Sequence, residues 1–172
     1  MYTNLCERRL ETLKPFVSGR RVWDLGCGYN RDHADALLSL GVSELHLVDK
    51  LKVRPHKDER VRTYGETYFK DIKALGHEDV AFVSYPLTCG VTGLGSCVQD
   101  AGLIIYIGIN DFMTACGDFD LWNVLLRREP VSVDERSQRD QMIIYSNRPR
   151  TKPRLEEEIA AVESVNWGKS WI

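Results

Sequence analysis

The stretch Arg21-Val22-Trp23-Asp24-Leu25-Gly26-Cys27-Gly28 decides how this chain folds. A short apolar run reaches an acid and is then cut off by two glycines one residue apart. From Asp32 to Leu40, Ala34, Ala36, Leu37, Leu38 and Leu40 give a helical pattern that Gly41 stops. Leu45-His46-Leu47-Val48-Asp49 is a second strand, and it too ends in an acid. Strand, glycine turn, helix and strand fit within about 30 residues, the size of a βαβ unit.

The pattern extends in both directions. Upstream, Asn4 with Glu7 has the form of a helix-capping box. Leu5, Leu10, Leu13 and Phe16 follow at helical spacing up to Ser18-Gly19. Downstream, Arg60–Tyr64 reads as a short third strand, Thr67–Leu75 as a helix closed by Gly76, and Val80–Val83 as a buried strand. Gly90–Asp100 reads as a weak helix or irregular crossover. Leu103–Ile109 is continuous and β-branched, as a central parallel strand should be. Phe119–Arg128 is an amphipathic helix. Val131–Glu135 and Gln141–Tyr145 are separated by so few residues that they must pair antiparallel. The fold class is α/β, an open and mostly parallel sheet with a C-terminal antiparallel hairpin. The expected organisation is an N-terminal helix over 1–19, the sheet domain over 20–146, and a tail with a short helix over 147–172.

Composition narrows the function classes. With 172 residues, 43% of them apolar, the chain supports one core and leaves little room for a separate substrate domain. A formal net charge of −2 excludes a uniformly basic nucleic-acid wrapper, though not a local basic stripe. Arg127, Arg128, Arg136, Arg139, Arg148, Arg150, Lys152 and Arg154 gather positive charge in the last third, balanced by Glu156-Glu157-Glu158. No apolar run is long enough to span a bilayer, and Glu7, Arg8, Arg9 and Glu11 interrupt the only leader candidate. Five cysteines without a Cys-x-x-Cys pair read as reduced thiols of a cytoplasmic protein, with no metal site expected. Trp167 and Trp171 in the tail suit packing onto the sheet or onto a partner chain, so oligomerisation through the tail is one expectation.

In an open α/β sheet the ligand crevice lies at the carboxyl ends of the strands, where strand order reverses. Glycines after the first strand let the backbone turn tightly beside a ligand. Asp49, at the end of the second strand, can accept hydrogen bonds from both hydroxyls of a ribose. Asp24 selects among ligands, because an acid there repels a pyrophosphate and attracts a cation.

Val22 to Gly28 resembles motif I of the class I S-adenosylmethionine-dependent methyltransferases, and Asp49 resembles their ribose-binding acid. The resemblance covers roughly Arg20 to Ser146, including the strand order and closing hairpin. It implies that Gly26, Cys27 and Gly28 pass the methionine part of S-adenosyl-L-methionine and that Asp24 orients its amino end. It also implies that Gly65 and Glu66 meet the adenine. Glu66 reads equally as a first-turn carboxylate of the Thr67–Leu75 helix. One departure is Asn30, which stands where a third glycine often occurs.

The acceptor end is read from the fourth and fifth strands. Ser84-Tyr85-Pro86-Leu87 is similar in place to the Asp/Asn/Ser-Pro-Pro-aromatic motif of methyltransferases acting on planar amino groups. It departs from that motif at Tyr85 and Leu87. If functional, Ser84 accepts a hydrogen bond from an acceptor amine and Tyr85 stacks on a ring; otherwise Pro86 simply terminates the strand. Asp111, after the fifth strand, is a candidate general base or a turn residue. His33 alone among the histidines is placed near the cofactor, and Cys89 lacks the preceding proline that thiolate chemistry on cytosine requires.

The leading expectation is therefore a methyltransferase, its acceptor an unidentified amino group on a small molecule, nucleic acid or protein. The rivals are a non-catalytic binding module with a degraded acceptor site and an NAD-dependent oxidoreductase.

Overall fold

β-Branched and aliphatic runs form the central strands here because those strands are buried on both faces, leaving no solvent side to demand polar alternation. The computed structural model describes residues 5–31, 33–86, 93–108, 119–137 and 140–150, with backbone alone at 119, 135–137 and 140. Helix α1 (Glu7–Val17) leads into β1 (Arg21–Leu25), α2 (Ala34–Ser39), β2 (Glu44–Val48) and β3 (Val61–Tyr64). A 3-10 turn (Phe69–Asp71) precedes β4 (Asp79–Ser84), α3 (Leu94–Val98), β5 (Leu103–Gly108), α4 (Phe119–Leu126), β6 (Arg128–Ser137) and β7 (Asp140–Pro149).

Among the described residues these strands make one seven-stranded sheet of order β3-β2-β1-β4-β5-β7-β6. β1 to β5 are mutually parallel, and β7 pairs antiparallel with both β5 and β6. Strand order reverses between β1 and β4, which opens the crevice where Asp24 and the glycines were expected to face a ligand. Alternate residues feed two cores. Val22, Leu45, Leu47, Val80, Phe82, Ile105 and Ile144 face α1 and α2. Leu25, Val48, Ala81, Val83, Ile104, Tyr106 and Ile143 face α3 and α4. No helix of the described residues is long and apolar enough to cross a membrane.

The structure corrects three expectations. The first helix begins at Glu7 with Cys6 as its cap, and Cys6 makes no side-chain capping bond. Asn4, the expected cap, lies outside the described residues. The Thr67–Leu75 helix is absent: only Phe69–Asp71 coils, and Ile72 is already extended. Thr67, Tyr68, Phe69 and Ile72 are β-branched or aromatic, poor helix formers. In addition, a Cβ on Gly93 would lie 3.0 Å from the Lys70 nitrogen, so the approach of α3 leaves a full helix little room. Third, the hairpin strands are ten residues each, longer than the apolar runs alone indicate. Register shifts beside Pro130 let the edge strand continue past a residue that cannot donate.

Helix α1 is pinned across the sheet. Arg9, fully buried, donates from Nε to Asp134 Oδ2 at 2.9 Å, and Arg8 reaches the other oxygen at 3.5 Å. Arg128 is buried as well. Its guanidinium donates to the carbonyls of Val98, Gln99 and Ala101. Burial pushes its pKa below the usual arginine value.

Candidate active site

The turn after β1 is built on two glycines that need their conformations. Gly26 (φ 89°) and Gly28 (φ 72°) lie in the left-handed region, and a Cβ on either would meet nothing within 4 Å. Gly26 and Cys27 both donate their amides to the Val48 carbonyl, at 2.8 and 3.1 Å, tying the turn to the end of β2. The space above the turn is open, as a site for a bound ligand should be.

Asp49 anchors the same turn. Its Oδ2 accepts the Gly28 amide at 2.8 Å and its Oδ1 accepts the Leu51 amide at 2.8 Å. The carboxylate is thus fixed at the carboxyl end of β2, and each oxygen retains a further lone pair for a ligand hydroxyl.

Asp24 differs. It is 1% exposed, and among the described residues neither of its carboxylate oxygens has a hydrogen-bond partner. The nearest potential cation is His33, at the start of α2, with Nδ1 3.8 Å from Oδ2. The His33 ring also sits 5.1 Å from that of Phe82, so it bridges the turn and β4. A buried carboxylate without donors is costly, and such an atom calls for an explanation. A cationic or hydrogen-bond-donating ligand supplies one.

Gly65 is held for a different reason. A Cβ there would lie 2.7 Å from the Val53 nitrogen, so the turn after β3 packs directly on the backbone of the β2–β3 connection. Glu66 has φ 56° and donates its amide to the Leu51 carbonyl at 2.9 Å, with its side chain exposed. Its reading as a first-turn carboxylate lapses, because there is no helix beneath it.

At the acceptor end, Ser84 closes β4 and is half-buried. Tyr85 takes φ 45°, a strained conformation for an aromatic residue, and donates its amide to the Ile107 carbonyl at 2.7 Å. Its ring packs on the core beneath α1 and α2. Asp111 and Cys89 lie outside the described residues. Sequence reasoning overlooked Gln141, a buried residue opposite Gly108 whose Oε1 has no hydrogen-bond partner among the described residues. Among the described residues, no three His, Cys, Asp or Glu side chains cluster as a metal site. Burial pushes the Cys97 thiol up to about 11, which keeps it protonated and inert.

No family model matches this sequence, and no curated protein matches it. Solved structures do. A Listeria monocytogenes protein described as an S-adenosylmethionine-dependent methyltransferase aligns over 82% of this chain and 97% of its own, with TM-score 0.57 and 13% identity. An Escherichia coli protein described as a methyltransferase aligns over 84% of each chain, with TM-score 0.58 and 13% identity. This chain has a class I S-adenosylmethionine methyltransferase-like fold.

A Streptococcus pneumoniae protein described as a tRNA (m1A22) methyltransferase, solved with S-adenosyl-L-methionine, shares that fold. It covers 91% of this chain and 87% of its own, with TM-score 0.55 and 11% identity. Identities this low carry the fold and assign no residue a role. Within the methyltransferase fold, the turn, Asp24 and Asp49 occupy the carboxyl ends of β1 and β2, beside the switch point.

Proposed function

We propose that this protein is an S-adenosylmethionine-dependent methyltransferase acting on an amino group. The observation that carries the reading is Asp24, a buried carboxylate with no hydrogen-bond partner among the described residues, beside a glycine turn with open space above it. Asp24 would receive the ammonium of the methionine part, Gly26, Cys27 and Gly28 would let it pass, and Asp49 would hold the ribose. Gly65 and Glu66 would border the adenine. When bound, the cofactor supplies an electrophilic methyl group, open to in-line displacement by an acceptor lone pair. The protein's part is to orient the acceptor and exclude water. Ser84 and Asp111 would position the acceptor nitrogen and take up its proton, and Tyr85 would set the end of β4. We place the protein in the cytoplasm, where its cysteines remain reduced.

An NAD-dependent oxidoreductase is disfavoured by Asp24 itself, since a buried carboxylate would repel the pyrophosphate. A binding module without chemistry draws on one observation: Tyr85 is half-buried and packs against the core, which limits what its ring can offer an acceptor. Titration calorimetry separates these readings. S-adenosylhomocysteine should bind and NAD should not; tighter NAD binding would end the methyltransferase reading. Asp49→Ala should weaken S-adenosylhomocysteine binding by about 1–3 kcal/mol, because hydrogen bonds to a charged acceptor are lost. Incubation with methyl-labelled cofactor and a cell extract then tests for chemistry. Absence of label from every fraction would leave the binding module.

A further inference from the structure

The connection between β2 and β3 carries Lys50, Lys52, Arg54, Lys57 and Arg60 against Asp49, Asp58 and Glu59, and Asp49 is taken up by the glycine turn. Asp58 is already engaged, since Arg60 Nη2 donates to its Oδ2 at 2.6 Å. Lys50, Lys52, Arg54 and Lys57 are exposed, and none forms an ion pair among the described residues. Several arginines elsewhere are engaged: Arg8 and Arg9 with Asp134, Arg21 with Asp79, Arg128 with three carbonyls.

This basic segment is held in shape. The Arg54 amide donates to the Tyr29 carbonyl at 3.2 Å, and Arg31 Nη1 donates to the carbonyls of Arg54 and Pro55 at 3.1 and 2.6 Å. On the other side the Glu66 amide donates to the Leu51 carbonyl, and Val53 is buried against Gly65. His56 Nε2 lies 3.0 Å from Asp35 Oδ1 of α2. A basic stretch that served only solubility would have no need of clamps from the glycine turn, the β3 turn and α2.

Aromatic surface flanks the cations. Of five large apolar side chains exposed among the described residues, three are here: Tyr29 (54%), Leu51 (57%) and Tyr68 (54%). Tyr29 belongs to the glycine turn and abuts Arg54, and Tyr68 follows β3. Fixed cations beside exposed aromatic rings are what a single-stranded nucleic acid requires, phosphates on the first and base faces on the second. An acidic protein would use the charges and leave the rings unexplained. A bilayer would ask for a broader apolar face.

We propose that residues 50–57, with Tyr29 and Tyr68, form a rim that binds single-stranded nucleic acid along the carboxyl edge of the sheet. Lys50, Lys52, Arg54 and Lys57 take the phosphates, and the tyrosines take the base faces. The proposal deepens the function given above and rests on it only in making a base amino group the methyl acceptor.

The test uses the full chain and fluorescence anisotropy with labelled single-stranded RNA and DNA of about 12 nucleotides, a length within the range of such grooves. Binding should weaken with salt, with a log–log slope of about −0.7 per phosphate contacted. The variant Lys52→Glu/Arg54→Glu/Lys57→Glu should lose about tenfold or more in affinity at low salt and show a slope shallower by about 2. Tyr68→Ala should lose about fivefold or more while the salt slope stays unchanged. Wild-type binding by the triple variant, or equal binding of polyglutamate or of anionic phosphatidylserine vesicles, would overturn the proposal. Calorimetry with S-adenosylhomocysteine on the same triple variant should give the wild-type affinity. Strand binding without S-adenosylhomocysteine binding would keep the rim and sink the methyltransferase reading; the converse would sink the rim alone.

Discussion

Asp79 and Asp24 sit on the neighbouring strands β4 and β1, one at the amino edge of the sheet and one at the carboxyl edge. Both are buried, and their surroundings are opposite. Asp79 is saturated: Arg21 Nε and Trp23 Nε1 both donate to Oδ1, and the Gly76 amide donates to Oδ2 at 2.8 Å. Asp24 accepts no hydrogen bond from the described residues. A carboxylate taken out of water costs several kcal/mol unless donors replace the lost hydration. At the amino edge the chain supplies those donors itself, which marks Asp79 as a structural fixture. At the carboxyl edge it leaves them to something else, and this separates a site from an architectural feature.

The largest expected effect concerns a third buried acid. Asp134 resembles Asp79, because it receives the fully buried guanidinium of Arg9. Asp134→Ala should cost about 3–5 kcal/mol in a urea titration, the usual penalty for stripping the carboxylate from a buried cation. A loss below about 1 kcal/mol would break the grouping of Asp134 with Asp79.

Asp79→Asn should cost less, about 1–2 kcal/mol, because Arg21 is 41% exposed and water screens the pair. It also carries a pH signature. Burial pushes the Asp79 carboxyl up, but the Arg21 guanidinium, the Gly76 amide and the Trp23 indole outweigh it and hold the carboxyl below its ordinary value. A depressed carboxyl contributes stability that is present above its unfolded pKa of about 3.9 and is lost as pH falls through the folded value. Asp79→Asn should remove that part of the acid limb. An unchanged limb would show that Asp79 is not what the amino edge depends on.

Asp24→Asn should move the other way. Removing a buried charge that accepts no hydrogen bond from the described residues and has only His33, 3.8 Å away, beside it should leave stability unchanged or raise it by up to about 1 kcal/mol. Affinity for S-adenosylhomocysteine should fall about tenfold or more, as expected when a charged acceptor is lost. Destabilisation as large as that of Asp79→Asn would place both acids in one structural class and dissolve the contrast.

Much of this contrast was legible in the sequence, and the limit has a physical cause. Asp24 and Asp49 announce themselves by position, because each ends an apolar run and the first is followed by glycines. The strands were equally legible, since a run buried on both faces needs only local apolarity. The Thr67–Leu75 segment was not. Phe69, Ile72 and Leu75 recur at a helix-like interval, but a 3-10 turn and extended chain lay them on the core, the first two half-buried and Leu75 fully, with the Leu75 amide donating to the Cys97 carbonyl. That competition comes from α3, which is distant in sequence. For the same reason the positive charge of the last third stood out while residues 50–57 passed unnoticed. Which cations find carboxylates or carbonyls, as Arg128 does, is decided by tertiary packing.

The smallest effect tests whether a buried base at the amino half behaves as Asp79 does. His46 stacks on Trp23 with ring centroids 3.8 Å apart, and its Nδ1 shares a hydrogen bond with the Tyr64 hydroxyl at 3.0 Å. Its Nε2 lies 3.3 Å from Glu44 Oε1, outside hydrogen-bond geometry. Burial pushes the His46 pKa below the ordinary histidine value, and the opposing pull of Glu44 does not restore it. Because the folded pKa is depressed, the unfolded chain binds the proton more readily. Stability is therefore full above the unfolded pKa of about 6.5 and declines as pH falls towards the folded value. This window lies above that of Asp79, so urea titrations at about pH 7.5 and about pH 5 separate the two. His46→Phe keeps a ring against Trp23 and removes the titration. It loses the Tyr64 hydrogen bond by the same amount at both pH values, so it should lower stability evenly and reduce the pH slope. A slope unchanged by His46→Phe would assign it to other histidines and leave the amino half with Asp79 as its one demonstrated proton-linked fixture.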